Sequence, residues 1–201
     1  MKTAAKTIDY YYSHQSPWTY MGHKRFLKLA AAAGARVNFK PVDYGKIFPQ
    51  SGGLPVNKRP TQRQTYRLIE LKRWSEHLGA KLNLQPKYFP ADSKPAALLA
   101  ITADKEGGDV GRLSGAILEA MWALEKNIAD PETLAKIAEA EGFNGKKLLN
   151  ASLAPEIVQI YERYTEEAIK AQVFGAPWYL YKGEPFWGQD RLDMLERALK
   201  K

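Results

Sequence analysis

Ser16 and Pro17, lying directly after the aromatic run Tyr10-Tyr11-Tyr12-Ser13-His14-Gln15, are the residues best placed for chemistry. Serine favours the N-cap of a helix and proline the first helical position, so a strand is expected to run into a capped helix here. Such a start gathers a hydroxyl and several free backbone N–H groups at one point, where anions bind well. Taken locally, Ser16 reads more simply as a cap and nothing more. His14, close by, invites a serine–histidine hydrolase reading. No nucleophile elbow or acidic partner order accompanies it, and that reading fails.

Other chemistry is removed by composition. The 201 residues contain no cysteine, which excludes disulfides, thiolate metal sites and a cysteine nucleophile. His14, His23 and His77 have no metal-ligand spacing, and no metal is expected. The net charge of +8 favours anionic partners, yet the basic residues are spread out and form no nucleic-acid module. A local cluster of Lys46, Lys58, Arg59, Arg63 and Arg67 flanks a loop rich in proline and glycine. No leader-like segment follows Met1 and no apolar run is long enough to span a bilayer, so a cytoplasmic location is expected.

The elements that must position Ser16 follow from pattern. Residues 7–12 form a strand, and a helix of about 17–33 carries Phe26, Leu29, Ala30 and Ala33 on one face before Gly34. Val37 and Phe39 alternate in a second strand from Arg36 to Pro41, completing a right-handed βαβ unit. From Asp43 to Pro60 six glycines and prolines predict an irregular loop, with Asn57, Lys58 and Arg59 as exposed polar groups. Helical stripes then include Leu71-Trp74-Leu78, a helix opened by Pro95, Leu113 to Leu124, one started at Asp130-Pro131, and Ile157 to Ala168. Trp178 to Tyr181 is a strand, Phe186-Trp187 begins its return, and Asp190 is expected to cap a last helix bearing Leu192, Leu195 and Leu199. The order βαβ, helices, ββα is an α/β thioredoxin-like core with an inserted all-helical domain. The expected division is 1–60 and 172–201 for the core and 61–171 for the insertion.

Four segments carry a resemblance. Tyr11 to Tyr20, Gly53-Leu54-Pro55-Val56-Asn57-Lys58-Arg59-Pro60, Gly175-Ala176-Pro177 and Phe186-Trp187-Gly188-Gln189-Asp190-Arg191-Leu192 occur in the order and at the separations found in one family. The chain resembles the 2-hydroxychromene-2-carboxylate isomerases, relatives of kappa-class glutathione transferases that share the fold of bacterial disulfide oxidoreductases. The resemblance implies a cytoplasmic homodimeric isomerase of aromatic catabolism that uses glutathione as cofactor and acts on an anionic aromatic or unsaturated oxo-acid. From the charge distribution and the lack of a long apolar run, no nucleic-acid or membrane partner is expected.

The resemblance also assigns roles. It implies that Ser16 holds the glutathione sulfur and is the catalytic residue. Asn57 falls near the substrate and the glycine end of glutathione. Pro177 matches a cis-proline, and the backbone of Ala176 pairs with the cysteinyl unit. Gln189 and Asp190 match the pair that recognises the γ-glutamyl end. Lys46, Lys58 or Arg59 would hold the substrate carboxylate, and His14 and Trp18 would approach the substrate. His14-Gln15 replaces an apolar pair of the family, and Trp178 stands where a small residue is common. Trp18, Tyr20, Trp178 and Trp187 would either wall an aromatic pocket or belong to the core. A kappa-type transferase or peroxidase, and a non-catalytic glutathione- or peptide-binding module, are the alternatives.

Serine is sufficient for the implied task. Lowering a thiol pKa by two units from about 8.5 corresponds to about 2.7 kcal/mol of preferential thiolate stabilisation. A hydrogen bond to a charged group contributes roughly 1.5–3 kcal/mol, so a hydroxyl at a helix N-terminus suffices without a base.

Overall fold

The computed structural model describes residues 6–201. Strand β1 (Thr7–Tyr12) leads through Ser16 into helix α1 (Pro17–Ala32), and β2 (Arg36–Pro41) returns parallel to β1, from Thr7 opposite Arg36 to Tyr12 opposite Pro41. Strands β3 (Trp178–Tyr181) and β4 (Glu184–Trp187) complete a four-stranded sheet of order β2-β1-β3-β4, with β3 antiparallel to β1. Three consecutive tyrosines suit the central strand because alternate side chains enter opposite faces. Tyr10 and Tyr12 stack at 4.6 Å on the α1 face, where Tyr10 also stacks on Tyr179 at 5.3 Å. Tyr11 enters the other face with Val42, Ile47 and Trp178.

Between the two halves of the sheet lie α2 (Tyr44–Ser51), α3 (Thr61–Leu78), α4 (Lys94–Lys105), α5 (Val110–Trp122), α6 (Pro131–Ala140), α7 (Gly145–Ser152) and α8 (Pro155–Lys170); α9 (Leu192–Leu199) closes the chain. From Ala96 to Ala103 every residue of α4 is buried, which a helix tolerates only when it has neighbours on every side. One face packs with α5, α6 and α7 around Leu113, Ile117 and Trp122. Another packs on Ile157 and Tyr161 of α8. The helix α8 in turn covers the second face of the sheet, with Ala168 beside Trp178.

Three local expectations are corrected. Residues 43–60 are not wholly irregular, since α2 runs from an Asp43 cap whose carboxylate accepts the Gly45 N–H at 2.8 Å. Burial of Tyr44 and Ile47 outweighs the backbone bond lost at Pro49, which faces outward, and Gly52 ends the helix at φ 71. The helix α7 escapes a periodicity reading because Leu148 is its one buried large apolar residue, although Asn144 caps it through the Lys147 N–H at 3.1 Å. Asp190 does not cap the last helix. It lies in a 3-10 turn, Gln189–Arg191, and its carboxylate meets the Arg191 guanidinium instead.

Candidate functional site at the first turn of α1

Ser16 caps α1. Its φ and ψ of −90 and 120 are extended, and its Oγ accepts the Thr19 N–H at 3.1 Å. Pro17 has no N–H and the Tyr20 N–H is taken by the Ser16 carbonyl at 3.0 Å. Of the first-turn donors, the Trp18 N–H alone has no hydrogen-bond partner among the described residues. The Ser16 hydroxyl donates to the Ala176 carbonyl at 3.4 Å, a long bond across 160 positions of sequence. The Ala176–Pro177 peptide is cis, as the resemblance implied. A second cis bond joins Phe89 and Pro90.

The loop before β3 is anchored by groups that pattern reading passed over. Tyr44 of α2 donates its hydroxyl to the Gly175 carbonyl at 2.9 Å, and the Gly188 N–H donates to the Pro177 carbonyl at 2.9 Å. No partner for the Ala176 N–H exists among the described residues. The Trp18 and Ala176 N–H groups are therefore unspent donors, and the Ser16 hydroxyl between them is held only by its long bond to the Ala176 carbonyl. That arrangement can receive an anion at the start of α1 and a backbone-type acceptor at Ala176. Trp178 is buried with its indole N–H unpartnered, edge-on to Phe174 at 4.9 Å. Trp187 is 51% exposed.

On the other side of the first turn, the side chains are buried and joined to one another, although His14 Nδ1 and Thr19 Oγ1 have no hydrogen-bond partner. His14 has no exposure, and its Nε2 lies 3.2 Å from Ser114 Oγ of α5. The same hydroxyl meets the Tyr12 hydroxyl at 2.8 Å. His23 joins Tyr10 at 3.1 Å through Nδ1 and the Gly111 carbonyl at 2.8 Å through Nε2. Burial pushes His14 down to about 3 and His23 down to about 4, so both rings are neutral at physiological pH. His14 is thus packed between β1 and α5 and offers no open surface to a substrate.

The remaining expected residues are scattered around this centre. Asn57 and Lys58 are exposed in a short 3-10 turn (Val56–Lys58). Arg59 is half-buried and donates from Nε to the Leu54 carbonyl at 2.8 Å. Lys46 is exposed and pairs with Glu162 of α8 at 3.6 Å. Trp18 is half-buried. Gln189 is 2% exposed, and its side-chain oxygen accepts from Arg25 of α1 at 2.6 Å. That lock is made possible by Gly22, since a Cβ there would stand 2.8 Å from the Gln189 Cβ. Asp190 stays exposed at the surface beside this turn. Arg25 and Gly22 carry no sequence signal of this task, because the Gln189 turn reaches them only through tertiary packing.

A parallel pair with a crossover helix, an antiparallel pair and a helical stretch between them define a thioredoxin-type protein, here with serine at the helix start where a redox-active member needs cysteine. Residues 7–200 match the DSBA-like thioredoxin domain, and the chain belongs to that family. It is similar to the 2-hydroxychromene-2-carboxylate isomerase of Sphingobium xenophagum, with 27% identity over 96% of this chain and 98% of the relative. It is also similar to the kappa 1 glutathione S-transferase of Caenorhabditis elegans, with 23% identity over 96% of this chain and 90% of the relative. A solved 2-hydroxychromene-2-carboxylate isomerase superposes with a TM-score of 0.81 at 24% identity, covering 96% of this chain and 94% of that one. The cytosolic disulfide reductase DsbM of Pseudomonas aeruginosa, solved with GSH, superposes with a TM-score of 0.70 at 15% identity, covering 97% of this chain and 100% of that one. No helix among the described residues is long and apolar enough to cross a membrane.

Proposed function

We propose that this chain is a glutathione-dependent cis–trans isomerase of an anionic aromatic or unsaturated oxo-acid. The observation that carries the reading is the Ser16 hydroxyl at the start of α1, 3.4 Å from the carbonyl before a cis-proline, in a chain without cysteine. In that place sulfur chemistry requires a thiol carried by a ligand. Bound glutathione supplies a thiolate whose reversible addition to an activated alkene leaves a single bond free to rotate.

The chain's own residues do the holding. Ser16 already accepts the Thr19 N–H, and its proton rests on a distant carbonyl, so it is available to a sulfur anion. The Trp18 N–H adds a second donor and the positive end of α1 favours the anionic form. The free N–H of Ala176 suits backbone pairing with the cysteinyl unit. Asp190, exposed on the turn that Arg25 locks through Gln189, suits the γ-glutamyl ammonium, and exposed Asn57 suits the glycine end. A homodimer and a cytoplasmic setting belong to the same proposal.

The kappa transferase relative favours one alternative, in which glutathione ends up in an adduct. Following total free glutathione during turnover of unsaturated aromatic oxo-acids separates them. Constant glutathione with product formed supports the isomerase. Stoichiometric loss replaces it with the transferase.

A further inference from the structure

Arg25 is exposed on α1, yet its guanidinium serves a buried neighbour. One nitrogen, Nη1, donates to the Gln189 side-chain oxygen at 2.6 Å and to the Gln189 backbone carbonyl at 3.3 Å. Leu29, Leu192, Asp193 and Glu196 line the same surface hollow as Arg25, between α1 and α9. Two carboxylates therefore stand near, and among the described residues Arg25 forms an ion pair with neither. Both of its acceptors belong to one residue, so the guanidinium fixes the side chain and the backbone of Gln189 together.

Gln189 opens the 3-10 turn that carries Asp190. That turn is held from two further sides. Gly22 of α1 lets it come close, since a Cβ at position 22 would stand 2.8 Å from the Gln189 Cβ and 3.2 Å from the buried Tyr179 hydroxyl. The Gly188 N–H donates to the Pro177 carbonyl at 2.9 Å, while the Ser16 hydroxyl reaches the adjoining Ala176 carbonyl at 3.4 Å. The turn and Ser16 are thus each one hydrogen bond from consecutive residues of the cis-proline loop, and both are set on α1. An ion pair to an exposed carboxylate contributes at most about 1 kcal/mol, and ordering the carboxylate on binding erodes even that. A turn already ordered from α1 avoids the erosion.

We propose that Arg25 is a positioning residue: through Gln189 it holds the Asp190 carboxylate in register with the Ser16 hydroxyl, and so sets the affinity for a ligand's ammonium group. The ligand is glutathione on the reading above, on which this inference rests. Arg25 acts through Gln189 and not on the ligand. Its loss should therefore erase discrimination of the amino group and leave the sulfur end at Ser16 unchanged.

Calorimetric titration of the whole chain with glutathione and with glutaryl-cysteinyl-glycine, which lacks only the amino group, measures that discrimination. The wild type should prefer glutathione by about 5-fold or more. Arg25→Ala should bring the preference to within about 2-fold with the bound-thiol pKa unmoved, and Arg25→Lys, without the planar fork, should keep an intermediate preference. Gly22→Ala, which displaces the turn without removing a charge, should lose the preference as well. In an Asp190→Ala background Arg25→Ala should weaken glutathione binding no further, as befits a residue that acts through Asp190. A preference that survives Arg25→Ala overturns the inference and leaves the glutathione reading standing, as does an added loss in the Asp190→Ala background. Failure of glutathione to bind the wild type overturns the proposed function instead. Hydrogen exchange of the free protein then still tests the lock: the Gly188 amide should exchange at least about 10-fold faster in Arg25→Ala, and an unchanged rate overturns it.

Discussion

His14 and Ser16 are two residues apart and belong to opposite sides of one turn. Ser16 faces the opening with a long, replaceable hydrogen bond to Ala176 and an unpartnered Trp18 N–H beside it. His14 faces inward, with no exposure, in a short chain of bonds through Ser114 to Tyr12. The inward side is closed and neutral, and it ties β1 to α5. The outward side keeps donors unspent. Rigidity behind and unspent donors in front are what a preorganised binding turn requires, because the rear contacts hold the donors in place before a ligand arrives.

Acid should break the rear side with the largest effect. Unfolded histidine titrates near 6.5, whereas burial holds His14 at about 3 and His23 at about 4. Below pH 6.5 the unfolded chain takes up protons that the folded chain refuses. The stability present above that value is therefore lost as pH falls, by up to about 1.4 kcal/mol per pH unit for each histidine. Urea unfolding at pH 7 and pH 5 measures the loss, and His14→Gln should reduce it by roughly half. Equal midpoints at the two pH values would mean the rings are not held neutral by burial.

Ser114→Ala attacks the same side from α5. It strands both the His14 Nε2 and the Tyr12 hydroxyl in the interior, at about 1–3 kcal/mol of stability. Denaturant midpoints read the loss; glutathione affinity should change little beyond it.

Ser16→Ala attacks the front. It should cost turnover about 10- to 100-fold, from a lost contribution of roughly 1.4–2.7 kcal/mol, and separately about 0.5–2 kcal/mol of stability as a lost cap. The bound thiol pKa, read from thiolate absorbance against pH, should rise part of the way back because the Trp18 N–H remains. If that pKa is the same in wild type and variant, Ser16 is a structural cap alone.

Asp190→Ala sharpens the contrast with the smallest structural effect. Its carboxylate is exposed and caps no helix, so stability should stay within about 0.5 kcal/mol while glutathione affinity falls. Unchanged affinity would place the γ-glutamyl end elsewhere.

Much of this was legible in the chain. Tyr10 to Tyr12, the Ser16-Pro17 start and the 2-residue period at Val37 and Phe39 belong to elements whose local signals and burial agree, so the βαβ unit and the returning hairpin could be read directly. The absence of cysteine also settled that any reactive thiol must be brought in. Other features depended on contacts between distant segments. The helix α2 survives Pro49 because the second face of the sheet buries Tyr44 and Ile47. The direction of His14 depends on Ser114, 100 positions away, and the meeting of Ser16 with Ala176 on a loop 160 positions away. Arg67 reads as one more exposed helical arginine until Phe89 is folded beneath it. Sequence determined which groups exist and which local elements they form. Packing decided which of them are neutralised by a partner and which are left with unspent hydrogen bonds or charge, because burial and pairing are properties of neighbours and not of residues.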